Sequence, residues 1–382
     1  MVKAEEVIRL LAERKNVLIS GPPGTGKSRL LSEIASAFIT EKETPAHDPD
    51  NDEVPFPEGA QVAGHLPGNM AVGHRRVFRA VMHQSSKHRD FLTGVVPDLR
   101  PPAPGGAPEA ERELKFRIVE GILYRAAQYA RQDDHAALVI IDEINRGPAV
   151  QVFGGAIVAI EGEKRLGEDG TPHQDTQVFD LLNPATGDLE EYAFPARLFI
   201  LGAMNQADVS VEPLDVAFLR RWAPVRLEPS ATALRAHFGV PVPSDLPGTA
   251  TTAEHLYEAA VKAFEAVNSR IVLGRSAEFQ VGHGVLMHPS GKAPTDLEGA
   301  KEHLATAWSL VRSHVEEAFF GDVRGTAIVL NAEGKVKDHP LKLQEASFGE
   351  TPRVLLTGPR TTDPGDIYAM LRAVAAPAST EV

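Results

Sequence analysis

Hydrophobic positions recur at two different periods along the chain, and each period marks out its own region. Val7, Ile8, Leu10 and Leu11 fall at helical spacing within residues 4–14, giving one apolar face to a charged segment. Residues 16–20 (NVLIS) read as a short buried strand, and a glycine-rich turn separates them from a helix over about 27–38. Residues 76–82 (RVFRAVM), 137–141 (ALVII) and 197–203 (RLFILGA) read as further strands, with helical spacing over 111–131 and 152–163 between them. Strands alternating with helices predict an α/β fold with a parallel sheet.

Two stretches interrupt this pattern. Residues 41–72, rich in Glu, Asp, Pro and Gly, read as an exposed loop or insertion, and residues 97–108 (PDLRPPAPGGAP) as a proline-rich loop. Beyond about residue 228 the helical period takes over, at 252–273 and 296–320. Residues 326–358 then read as strand, turn, strand, with the turn at 331–334, and the tail after Thr361 is expected to fray. The expected division is an α/β core over 1–228, a smaller helical domain over 229–322 and a short β-containing extension over 323–382, with no internal repeat.

Composition narrows the function classes. At 43% hydrophobic and 24% charged residues the chain reads as an ordinary soluble globular protein. It has no apolar run long enough to span a bilayer, and its charged first residues lack the apolar core of a signal peptide, so no membrane association and a cytoplasmic location are expected. The absence of cysteine excludes disulfides, thiolate metal sites and thiol nucleophiles. A net charge of -13 argues against a broad face that grips nucleic acid. The 14 histidines show no metal-ligand spacing.

Gly21-Pro22-Pro23-Gly24-Thr25-Gly26-Lys27-Ser28 has the pattern G-x-x-x-x-G-K-[ST], between a strand and a helix. Glycines let backbone N–H groups curl around the β- and γ-phosphates of a nucleotide, and the helix N-terminus favours the anion. Lys27 adds a full charge, and Ser28 supplies a hydroxyl to Mg²⁺. The strand 137–141 delivers Asp142 and Glu143 to its C-terminal end, where ligands bind in open α/β sheets. Asp142 would position Mg²⁺ through water, and Glu143 would act as general base on the attacking water. Asn205, after the third strand, could orient that water or sense the γ-phosphate; it could equally cap a turn. Arg220 and Arg221 could stabilise charge on a transferring phosphoryl group or form a solvated helix end.

Together these motifs resemble the AAA+ superfamily, and in particular its McrB-type branch (MoxR/dynein-related), the motors of modification-dependent restriction systems. The likeness is carried by Met82-His83-Gln84-Ser85, Asp90-Phe91-Leu92-Thr93-Gly94, Gly121-Ile122-Leu123-Tyr124 as the start of a helix, Ile141-Asp142-Glu143-Ile144-Asn145-Arg146-Gly147, Phe153-Gly154, Glu161-Gly162-Glu163-Lys164-Arg165, Met204-Asn205-Gln206-Ala207-Asp208, Phe279-Gln280-Val281-Gly282-His283 and Leu304 to Gly321 as the last helix of the lid. It runs from about residue 15 to 322, with the helical part as the lid. It implies that Asp142 and Glu143 serve Mg²⁺ and water, that Asn205 is sensor 1, and that Arg220 and Arg221 act on a neighbouring subunit's nucleotide, Arg221 being the stronger candidate. A ring, most often hexameric, follows from such a site. So does a separate effector, such as a nuclease of a defence system; the alternative is a MoxR-type chaperone that remodels protein partners without DNA. ATP is the expected nucleotide because most AAA+ proteins use it, although the branch includes GTP hydrolases.

Several residues depart from the family pattern. The phosphate loop starts at Gly21, leaving no room before it for the domain that reads methylated DNA in the best-known member, so sequence-specific DNA binding by this chain is not expected. Leu219 stands where a third arginine is common, Gln206 replaces Thr, and Val209 replaces Arg. Residues 323–382 lie outside the likeness and either cover a sheet edge or dock a partner. The basic cluster His74, Arg75, Arg76, Arg79, Lys87, His88 and Arg89 reads as a solvated face paired with local acids, with a pore loop as the alternative. His283 reads as a hydrogen-bonding residue of the lid core, with a side chain pointing toward the nucleotide as the alternative.

Overall fold

The computed structural model describes residues 2–39, 66–98, 115–205, 207, 214–334, 336–359 and 362–377. Most of the loop expected over 41–72, nearly all of that over 97–108, and Gln206, Asp208 and Val209 lie outside the described residues. The chain divides into two compact units: a sheet unit of Val2–Ser20 and Lys27–Arg226, and a helical unit of Gly21–Gly26 and Leu227–Val382.

The sheet unit contains, in chain order, α1 (Ala4–Arg14), β1 (Asn16–Ser20), α2 (Lys27–Phe38), β2 (His74–Val81), α3 (His88–Phe91), β3 (Thr93–Pro97), β4 (Phe116–Glu120), α4 (Ile122–Ala130), β5 (His135–Asp142), α5 (Ala149–Phe153), β6 (Phe179–Leu182), β7 (Leu189–Tyr192), β8 (Leu198–Met204), α6 (Val216–Leu219) and β9 (Ala223–Arg226). Five strands form a parallel sheet in the order β2-β5-β8-β1-β9. Every residue of β1 and of β8 is buried, as the unbroken apolar runs require of strands covered on both faces. Leu18, Val139, Ile141 and Ile200 share a core with the aromatic group Phe153, Phe218 and Trp222. The register brings Ser20 level with Met204 and Ile141 level with Gly202, so β1, β5 and β8 all end at one edge.

Two helical expectations are corrected here. Within the helical spacing read over 111–131, the described residues hold the strand β4 and then the helix α4. β4 pairs with β3 from Thr93↔Glu120 to Pro97↔Phe116, and Gly121, whose Cβ would lie 2.3 Å from the Phe91 carbonyl carbon, turns the chain into α4. Over 152–163, α5 stops at Phe153 because Gly154 takes φ 49, and short 3₁₀ turns follow.

The helical unit contains α7 (Ala231–Phe238), α8 (Ala253–Gly274), α9 (Leu297–Ala318), α10 (Val323–Val329), β10 (Lys342–Phe348), β11 (Thr351–Thr357) and α11 (Ile367–Ala375). Helix α10 occupies the start of the expected strand–turn–strand, and the hairpin comes later, turning at Gly349 with φ 63. The tail expected to fray after Thr361 holds helix α11. Ile367, Met370, Leu371 and Val374 of α11 are buried in one core with Leu256, Val267, Leu304 and Trp308. Arg270 donates to the carbonyls of Val374 and Ala376, and Asn331 to those of Ala373 and Ala376, which satisfies the end of α11. The residues after 322 thus share a core with the helices before them. Among the described residues no helix is long and apolar enough to cross a membrane, and no cluster of histidines and acids has the makings of a metal site.

Candidate active site

The loop that follows β1 is shaped by three glycines at positive φ: Gly21 at 152, Gly24 at 76 and Gly26 at 91. A Cβ on Gly21 would lie 2.4 Å from the Leu227 carbonyl oxygen, so no other residue fits there. Three loop carbonyls are taken by protein donors. Pro22 O accepts from Thr25 Oγ1 at 2.8 Å, Pro23 O from Gly282 N at 3.0 Å, and Gly24 O from Gly284 N at 2.8 Å. The donor segment is itself fixed by Asn268, whose amide makes a reciprocal pair with Val281 N (2.7 Å) and Val281 O (3.0 Å). His283 is buried and accepts from Ser230 N, the role in the helical core expected of it. A loop whose carbonyls face protein donors and whose glycines hold positive φ suits an anion presented to its N–H groups. Sequence reading missed Gly282, Gly284 and Asn268 as supports of this loop; nothing in their spacing signals it.

In the sheet unit the acidic residues meet at the C-terminal edge. Glu143 follows β5 in left-handed conformation (φ 51), and its N–H donates to Asp142 Oδ1 at 2.9 Å. Asn205 Nδ2 donates to Glu143 Oε1 at 3.0 Å, and Asn145 Nδ2 holds the Asn205 carbonyl at 2.7 Å. Arg146 Nε lies 3.2 Å from Glu143 Oε2 without hydrogen-bond alignment. Glu143 Oε2 and Asn205 Oδ1 are both buried acceptors that receive no hydrogen bond. Asn145 and Arg146 were legible only as part of a motif; their roles come from the 3₁₀ turn, which returns them to Glu143 and Asn205. Ser28 is exposed in the first turn of α2.

Lys27 shares this neighbourhood. Burial pushes its ammonium down to about 8, against Glu143 and Asp142, which act to raise it. A bound anion raises the pKa of the ammonium, so binding takes up a proton above that pH and weakens as pH rises. The affinity of a non-hydrolysable nucleotide should therefore fall about tenfold between about pH 7 and about pH 9. Lys27→Arg, which does not titrate there, should flatten the profile; a flat wild-type profile would contradict this assignment.

The basic cluster around β2 is largely absorbed by the fold. Arg75 donates to the carbonyls of Phe38 and Val72, and Arg76 lies over the rings of Phe78 and Tyr129. Arg79 is held below its ordinary value by burial, with Asp142 opposing. These three arginines pack into the sheet edge, whereas Lys87 is exposed and Arg89 pairs with Asp90, as expected of a solvated face with local acids.

Arg220 and Arg221 lie at the other end of the sheet. Ser20, the last residue before the phosphate loop, is level with Arg226, and Arg221 is five residues upstream. At ~3.3 Å per residue that is on the order of 15 Å, beyond the reach of an arginine side chain. Arg221 is turned inward: its side chain is 9% exposed, its Nε lies 3.0 Å from Glu161 Oε1, and its Nη1 donates to Ala217 O. Arg220 is exposed. Burial thus sets Arg221, expected as the stronger candidate, apart from the exposed Arg220.

Comparison with known proteins follows the same lines. Residues 70–222 match the AAA domain, dynein-related subfamily. Over 226 residues, 59% of this chain, the sequence is 28% identical to the Type IV methyl-directed restriction enzyme EcoKMcrB subunit of Escherichia coli K12, of which it covers 38%. Over 217 residues it is 27% identical to the Type II restriction enzyme BsuMI component YdiS of Bacillus subtilis 168, covering 55% of this chain and 56% of that one. The chain therefore spans less than two thirds of either relative. Among solved structures, C. elegans PCH-2 overlaps 80% of this chain and 67% of its own at 13% identity and a TM-score of 0.34.

Proposed function

We propose that this AAA+ protein, of the McrB-type branch by its similarity to known proteins, is a Mg²⁺-dependent nucleoside triphosphatase working as a ring. ATP is the favoured substrate, with GTP as the alternative. In this reading the loop Gly21–Ser28, through the backbone N–H groups it has outside Pro22 and Pro23, and the Lys27 ammonium bind the β- and γ-phosphate oxygens. Ser28 and Asp142 would hold Mg²⁺, Asp142 through water, and the ion would offset charge on the phosphate oxygens. The observation that carries the hydrolase reading is a pair of buried acceptors that receive no hydrogen bond, Asn205 Oδ1 and Glu143 Oε2, the latter facing Arg146 at 3.2 Å. One water has two O–H groups to give them. Glu143 takes the proton as the water attacks, and Asn205 aims the second hydrogen while its Nδ2 steadies Glu143 Oε1.

Arg220 supports the oligomer. It is exposed and lies at the sheet end remote from its own phosphate loop, so the nucleotide it can reach is a neighbour's. A head-to-tail contact of that kind closes into a ring, and a hexamer is the expected size. Both relatives carry names of restriction-enzyme parts, which supports a motor that drives a separate effector, plausibly a nuclease, in a defence system.

Steady-state hydrolysis of ATP and of GTP, followed across protein concentration, tests the reading. The rate per subunit should rise with concentration and saturate as shared sites form. A rate per subunit that stays constant down to concentrations where the protein is demonstrably monomeric would rule out the shared site.

A further inference from the structure

Arg220 and Arg221 are neighbours in sequence, yet only Arg221 is fastened. Its side chain meets Glu161, and its carbonyl accepts from Asn16 Nδ2 at 3.2 Å. The same Asn16 amide donates to Ile160 O at 2.7 Å, and Asn16 Oδ1 accepts from Arg165 Nη2 at 2.6 Å. Arg165 donates further to Ile160 O and Leu198 O. Asn16 and Arg165 are both fully buried. Burial pushes the Arg165 guanidinium down to about 9, and it is compensated by carbonyls and an amide.

One polar network therefore runs from the start of β8, through Arg165 and Asn16, to the residue beside Arg220, and Glu161 closes it from the far side of the same turn. Its members sit where β1 and β8 begin, at the end of the sheet opposite Asp142 and Glu143. Nucleotide binding in the same subunit gives no reason to bury a guanidinium there. The turn it braces, Phe218–Trp222, has apolar anchors of its own in the buried Phe218 and Trp222. The polar contacts add something else: they fix the side chain and the carbonyl of Arg221, and hence the direction in which the Arg220 side chain leaves the turn.

We propose that Glu161 and Asn16, through Arg221, are positioning residues that hold Arg220 for the neighbouring subunit's phosphates. The segment Glu161-Gly162-Glu163-Lys164-Arg165 is thus a brace for the arginine that acts across the interface. This inference rests on the reading that Arg220 completes the neighbour's site.

The test is complementation in mixed assemblies. Glu161→Ala should lower kcat about ten- to a hundredfold, since misplacing a catalytic group by about 1 Å costs that much. Nucleotide affinity and the thermal midpoint should stay close to wild type, and Glu161→Gln, which keeps an oxygen facing Arg221, should recover part of the rate. Mixed with Glu143→Gln subunits, whose Arg220 is intact, Glu161→Ala subunits should regain hydrolysis; mixed with Arg220→Ala subunits they should not. The opposite pattern, rescue by Arg220→Ala and none by Glu143→Gln, would place the defect in the subunit's own site and overturn the proposal. So would a wild-type rate for Glu161→Ala while Arg220→Ala is inactive. A wild-type rate for Arg220→Ala itself would remove the interface reading, a failure distinct from that of the brace.

Discussion

Arg220→Ala should lower turnover by on the order of 10³-fold while leaving nucleotide affinity within about twofold of wild type. The asymmetry follows from placement. The groups assigned to binding, Gly21–Ser28 and Lys27, lie after β1, whereas Arg220 precedes β9 at the opposite end of the sheet. On the proposed reading, removing it takes no contact from the subunit's own nucleotide but withdraws a guanidinium from the neighbour's site as charge builds on the phosphoryl oxygens. Arg221→Ala should behave differently. It strips Glu161 of its ion-pair partner and opens a buried turn, so its loss of activity should come with a lower thermal midpoint. Steady-state kinetics beside nucleotide titration and thermal unfolding separate the two arginines. A normal kcat for Arg220→Ala would refute its role.

Glu143→Gln should cost about 10²–10⁴ in kcat, the range for a general base, with nucleotide still bound. An amide at this position keeps an oxygen for Asn205 Nδ2, so the local hydrogen bonds survive. It cannot accept a proton at neutral pH, and it gives up the ion pair with Arg146. The variant should therefore trap nucleotide-loaded assemblies, visible as a larger species by light scattering in the presence of ATP. Hydrolysis at the wild-type rate would show that another group activates the water.

How much of this was legible in sequence depends on how local the signal is. The phosphate loop and Asp142-Glu143 were readable because glycine spacing and an apolar strand ending in carboxylates encode their geometry within a few residues. Helices α8 and α9 were readable because each carries more than five turns of one period. Strand β4 was not, because its five residues merge with the helical spacing of α4, and only pairing with β3 and the close approach of Gly121 to Phe91 decide the matter. Helix α11 was hidden by an alanine-rich composition; its order comes from Arg270 and Asn331, about 100 and 40 residues away. The choice between Arg220 and Arg221 could not be made from sequence, because it turns on Glu161 and Asn16, which reach the turn through the fold.

The most direct test of the shared site is hydrolysis by a 1:1 mixture of Arg220→Ala and Glu143→Gln proteins, each nearly inactive alone. If Arg220 serves its neighbour, about a quarter of the interfaces in a randomly mixed ring join an intact Glu143 to an intact Arg220, and about a quarter of the wild-type rate should return. If Arg220 acts within its own subunit, no site in the mixture holds both groups. The absence of any recovery in assemblies demonstrably containing both variants would contradict the account.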